Sequence, residues 1–264
     1  MSNEELAYDF SPMIKVYKDG RVERLRGTDT VPPSTDPKTG VQSKDVVISQ
    51  EPAISARLYI PKSTTTSAPQ TKLPLLIYFH GGGFCIRSSS SRTHHNYLNA
   101  LVSEANVVAV SVDYRLVPEH PLPAAYDDSW LLSNGAGANI THNMAVNWEP
   151  VGDELTTPAA ARDYMAGVWR FACPSTSGSD DPLINPAKDQ KLGKLGCEKV
   201  LVCVAEKDVL KDRGWHYSET LKRSGWNGDV EVIEAEGEGH VFHWINPTCD
   251  NAVAMEKKIV AFLN

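Results

Sequence analysis

The sequence is poor in several of the things that would mark a specialised chain. It carries only five cysteines, at positions 85, 173, 197, 203 and 249, with no CxxC pair among them. That odd, scattered set excludes a disulfide framework and reads as free, mostly buried thiols in a reducing compartment. Basic residues are outnumbered, with 26 Lys+Arg against 33 Asp+Glu and a formal charge of −7. A net acidic chain offers no basic face for phosphates, so nucleic acid is excluded as the main partner. No apolar run nears the ~20 residues of a membrane span. The opening Met1-Ser2-Asn3-Glu4-Glu5 is acidic and does not read as a signal peptide. The histidines lack ligand spacing: His94-His95 and His240…His243 have no cysteine or acidic partner at metal-binding intervals. The expectation is a cytoplasmic protein without a metal or cofactor, binding neither membrane nor nucleic acid.

What is present is a globular composition, 41% hydrophobic and 22% charged, and a change of texture along the chain. Ile14–Lys18 and Arg21–Leu25 alternate around Asp19-Gly20, a hairpin signal. Asp45–Ser49 and Ser55–Ile60 read as an antiparallel edge pair, and the Thr- and Ser-rich stretch 62–72 as a solvated loop. Then come continuously apolar segments, Leu73–Phe79, Val107–Val112 and Val200–Val204, with Val230–Ile233 as a fourth. Such runs suit parallel strands covered on both faces. Helical spacing occupies 93–105, 164–171, 214–224 and 250–263. Strands alternating with helices give an α/β fold with a mostly parallel sheet flanked by helices, read as one domain over 1–264.

Chemistry-bearing residues fall at the ends of those strands. His80-Gly81-Gly82-Gly83-Phe84 follows the first apolar strand directly. Successive glycines let the backbone turn its N–H groups into a cavity, where they can hold a developing oxyanion. Asp208 lies four residues past Val204, and His240 sits in the acidic turn Gly237-Glu238-Gly239-His240 after the fourth strand. A lone loop Asp is usually a turn cap and a lone loop His merely exposed. The two at matching strand ends, where α/β sheets place their chemistry, make a pair.

These residues resemble the plant carboxylesterase family, in the hormone-sensitive-lipase-like branch of the α/β-hydrolase fold. Its other members include 2-hydroxyisoflavanone dehydratases and gibberellin receptors. The resemblance rests on His80–Phe84, Asp113–His120, Pro123–Asp128, Cys173-Pro174-Ser175, Asp181–Pro186, Gly196-Cys197, Ala205–Asp208 and Gly239–Phe242. It implies a hydrolase of small acyl esters acting on an ester or hydrophobic plant metabolite. In it His240 is the general base and Asp208 the carboxylate that orients it, and the oxyanion hole uses Gly81, Gly82, Gly83 and Ala136.

Two departures stand out. Where the family elbow reads Gly-Asp-Ser-Ala-Gly-Ala-Asn, this chain reads Ser133-Asn134-Gly135-Ala136-Gly137-Ala138-Asn139. The nucleophile position is Gly135, which has no side chain. Ser133 is two residues early, and Thr141 falls inside the following helix. The second departure is length. Between Tyr126 and Gly135 there is room only for the start of a helix and a strand stub at Leu131-Leu132, whereas a helix and strand need ~11 and ~5 residues. Residues 147–198 hold no strand-like run either, so two central strands are expected to be shortened or missing. A shortened gene model, a splice form, or a true variant pairing 107–112 with 200–204 would each give this sequence. The functional expectation is a carboxylesterase-type hydrolase impaired at Gly135. Its alternatives are a non-catalytic small-molecule binder of the gibberellin-receptor type and a dehydratase-type relative.

Overall fold

The computed structural model describes residues 5–62, 72–135 and 158–264. Ala136 and the elbow helix expected after it, with most of the solvated loop expected at 62–72, lie outside the described residues. The chain divides into two compact units, one holding the described residues up to Gly135 and the other those from 158 to 262.

The first unit begins with a three-stranded antiparallel sheet, β1 (Leu6–Phe10), β2 (Ile14–Tyr17) and β3 (Val22–Arg24). The turn between β2 and β3 uses Gly20 at φ 87°, as the Asp-Gly signal requires. Strand β1 was not legible, because its alternation is weak and its middle residues are exposed.

A second, four-stranded sheet has the order β4-β5-β7-β6. Strands β4 (Gln42–Ser49) and β5 (Ile54–Ile60) form the expected antiparallel pair. They sit at one edge of the sheet, as expected, and β5 also pairs antiparallel with β7 (Val108–Asp113). Strand β7 in turn pairs parallel with β6 (Leu75–Phe79). The sheet is therefore mixed. Helix α1 (Arg92–Ala105) connects β6 to β7, buries Leu98, Leu101 and Val102, and ends at Asn106, a residue type that tolerates its left-handed φ of 52°.

Three readings of the sequence fail here. Leu131-Leu132 is no strand stub: helix α2 runs unbroken from Ala124 to Gly135. The stretch is too short to leave the helix, turn and re-enter the sheet. Strand β6, although continuously apolar, is not buried on both faces; Leu75 is 47% exposed and the rest half-buried. Among the described residues β6 has a neighbour on one side only. Pairing of 107–112 with 200–204 also fails, because both edges of β7 are taken by β5 and β6.

The second unit opens with α3 (Pro158–Ala172), which extends beyond the expected 164–171. Strands β8 (Lys199–Ala205) and β9 (Asp229–Ala235) pair in parallel register. Helix α4 (Lys211–Arg223) makes the crossover, and Gly214 permits its close approach, since a Cβ there would lie 2.4 Å from Val204 Cγ1. After the short α5 (Phe242–Ile245), α6 (Asp250–Leu263) packs Ala252 and Met255 against Ala205, Ala235 and Phe242. All five cysteines are free, but only Cys85 and Cys173 are buried, fewer than expected. No described helix is long and apolar enough to cross a membrane.

Candidate active site

The segment following β6 is held by its carbonyls. Tyr114 Oη donates to His80 O at 2.6 Å, and His80 Nδ1 donates to Gly81 O at 2.9 Å. Gly82 O accepts from the amides of Cys85 and Ile86, and Gly83 O from Cys85 Sγ at 3.1 Å. Phe84 O accepts from Val117 N at 2.9 Å, and Cys85 O from Arg24 Nε at 2.7 Å. Six consecutive carbonyls are thus satisfied. The N–H groups of Gly81, Gly82, Gly83 and Phe84 have no partner among the described residues, although all four residues are buried. Buried, unpaired N–H groups are rare, and a run of four marks a place suited to an acceptor that the described residues do not supply.

Backbone conformation produces this arrangement. Gly82 and Gly83 have φ of 127° and 59°, and Phe84 continues at 64°, where a non-glycine residue is strained. A Cβ at Gly82 would lie 2.3 Å from Ile86 O, so this glycine is required by space as well as by φ. Behind the loop, the His80 ring stacks on Tyr114 with centroids 4.3 Å apart. Burial pushes the His80 imidazole down to about 4, keeping it neutral. Burial likewise pushes the Cys85 thiol up to about 12, so this cysteine is no nucleophile.

In the second unit, the turns following β8 and β9 are tied together. Glu206 N donates to Ala235 O, Lys207 N to Glu238 O, and Gly237 N to Glu206 Oε2. Those bonds bring His240 Nδ1 to 2.7 Å from Asp208 Oδ2, with side chains only 10% and 12% exposed. The second carboxylate oxygen, Oδ1, accepts from Leu210 N at 2.8 Å, which fixes the carboxylate plane. An ionised carboxylate only accepts, so Nδ1 carries the proton and Nε2 presents its lone pair. That Nε2 is buried with no partner among the described residues. Three residues on, His243 is pushed down to about 4 by burial and, secondarily, by the nearby His240.

The structure thus brings Asp208 and His240 together, and leaves the amides of Gly81, Gly82 and Gly83 without a partner among the described residues. Gly135 is the last residue of α2, not a residue on a strand-to-helix turn. Sequence reasoning did not find Arg24 or Tyr114, which lie far from the glycines in the chain and declare themselves only through the carbonyls they hold.

Comparison with known proteins gives the family and the fold. The α/β-hydrolase-fold family matches residues 76–157 and 152–244. "Probable carboxylesterase 13" of Arabidopsis thaliana is 42% identical, covering 99% of this chain and 98% of its own length. The chain belongs to the plant carboxylesterase family. The 2-hydroxyisoflavanone dehydratase of Glycyrrhiza echinata is 40% identical, with 99% and 98% coverage. Among solved structures, the hyperthermophilic esterase of Pyrobaculum calidifontis superposes with a TM-score of 0.63 at 23% identity, over 84% of this chain and 85% of the esterase. A thermostable carboxylesterase cloned from a metagenomic library gives 0.65 at 22%, over 88% and 90%. These two likenesses establish the fold, an α/β-hydrolase with a central sheet flanked by helices. The family is one of carboxylic-ester hydrolases, and a small ester or hydrophobic metabolite fits it as substrate. The Arabidopsis alignment occupies 324 positions against 264 residues here, so that relative fills at least 60 positions that this chain does not.

Proposed function

We propose that this chain is a carboxylesterase-type hydrolase, one α/β-hydrolase domain over 1–264, whose acyl-enzyme route is impaired at Gly135. The observation that carries the reading is the Asp208–His240 pair, with Nε2 available as a base. Gly135 has no hydroxyl for that base to activate, and it closes a helix. In the reading, His240 takes a proton and Asp208 stabilises the resulting imidazolium. The amides of Gly81, Gly82 and Gly83 are the oxyanion donors, with Ala136 as a further one by resemblance. No step calls for a metal or cofactor. The free thiols support a cytoplasmic location.

Steady-state turnover of p-nitrophenyl acetate tests the proposal. The expected rate exceeds that in buffer only by the share that oxyanion donors and binding supply without a nucleophile, ~10³–10⁴-fold. Turnover equal to a serine-bearing relative's would refute the impairment.

A second reading, a non-catalytic small-molecule binder, is favoured by one feature. The donor run at Gly81–Phe84 is kept although the nucleophile position is empty of side chain. Ligand-induced melting shifts without turnover would support it. The dehydratase reading ranks last, because Gly135 offers no hydroxyl for that chemistry.

A further inference from the structure

We infer that Arg24, from the N-terminal three-stranded sheet, is a positioning residue for the Gly81–Phe84 donor loop; this rests on the oxyanion reading above. Arg24 is the last residue of β3, and its guanidinium reaches two segments at once. Nε donates to Cys85 O at 2.7 Å, at the downstream end of the loop. Nη2 donates to Val117 O at 3.1 Å, and the amide of that same Val117 holds Phe84 O. Nη1 and Nη2 grip the Glu119 carboxylate at 2.9 and 2.6 Å, and the Arg24 guanidinium holds that carboxyl below its ordinary range.

The loop needs such a clamp. Phe84 at φ 64° and Arg87 at φ 75° are non-glycine residues in the left-handed region, which persist only where the surroundings over-determine them. His80, Gly81, Gly82 and Gly83 carbonyls are held from within the loop or by Tyr114. The last two, Phe84 and Cys85, depend on Val117 and Arg24, so releasing the fork frees the segment that turns the preceding amides into position. The planar guanidinium makes all these bonds from one rigid group, which a lysine cannot do.

Glycine amides give a direct readout. Protein labelled with ¹⁵N-glycine has 18 glycines to resolve. His80-Gly81 is the only His-Gly step, and Gly81-Gly82-Gly83 the only Gly-Gly steps, so carbonyl-¹³C histidine and glycine assign them. Arg24→Ala is expected to displace or broaden the Gly81, Gly82 and Gly83 resonances while leaving Gly193, Gly225 and Gly228 in place. Arg24→Lys, keeping the charge but not the fork, is expected to do the same. Loop resonances unmoved in Arg24→Ala, or fully restored by lysine, would overturn the inference. Should Arg24→Ala unfold the first unit, judged by collapse of the Gly20 and Gly40 resonances, Glu119→Gln loosens the fork instead and must still move the loop glycines. Acetate titration of the unmodified protein separates the two claims. Loop resonances that respond to Arg24→Ala but not to acetate leave the clamp standing and refute the oxyanion role on which it rests.

Discussion

At the scale of single residues, two side chains and two glycines decide the chemistry. Asp208 fixes the tautomer of His240, and Gly82 makes the donor loop sterically possible. In the proposed reading, Gly135 leaves His240 without a hydroxyl to activate. A working general base contributes ~10²–10⁴-fold, so His240→Ala is expected to change esterase turnover by less than about tenfold here. A larger loss would reveal another nucleophile or base-activated water. Gly82→Ala has the opposite character. The added Cβ meets Ile86 O and is forced to a φ of 127°, so we expect a destabilisation of about 1–3 kcal/mol, read from urea unfolding. Asp208 and His240 were legible as a pair because each follows an apolar strand within a few residues of its C-terminal end. The satisfied carbonyls of the donor loop were not legible, because they depend on Tyr114, Val117 and Arg24, which no local pattern connects to it.

At the scale of elements, apolar runs named the parallel strands to within two residues, since a run such as Val107–Val112 has few other places to go. The same logic overstated the burial of β6, whose composition suits two neighbours while the described sheet gives it one. It also misread Leu131-Leu132, where α2 simply continues. That continuation bears on repair of the site. An elbow nucleophile needs a strained turn fed by a strand and geometry held to within ~0.5 Å. Gly135→Ser places a hydroxyl at the end of a helix instead. We expect it alone to recover little esterase activity; burst kinetics with p-nitrophenyl acetate in that variant would contradict this.

The buried imidazoles make a prediction of their own. His80 and His243 are held neutral, each pushed to about 4 by burial, against ~6.5 in an unfolded chain. The unfolded state therefore takes up protons first as the pH falls. The stability they contribute is fully present above about 6.5 and is lost progressively towards 4. Urea midpoints should decline across that window, and His243→Leu should flatten part of the slope. A midpoint that stays level or rises from pH 7 to 5 would contradict it.

At the scale of the whole molecule, the Arabidopsis relative fills at least 60 alignment positions that this chain does not. Among the described residues, strands β6 and β8 each pair on one side only, and both carry the apolar composition of interior strands. In the reading that those positions include central strands, their absence costs packing on both faces of the sheet. The protein should therefore unfold at a lower temperature than the Arabidopsis relative under matched conditions, and an equal, cooperative transition would refute that comparison.

In the proposed reading, a donor loop and an oriented histidine stand in a chain with no serine for them to activate. Intact-mass analysis after incubation with a fluorophosphonate tests it most directly, since the reagent reacts with an activated serine and stays bound. The mass is expected to stay unchanged, with a serine esterase of known reactivity fully labelled alongside as the control. A stoichiometric adduct on any serine of this chain would contradict it.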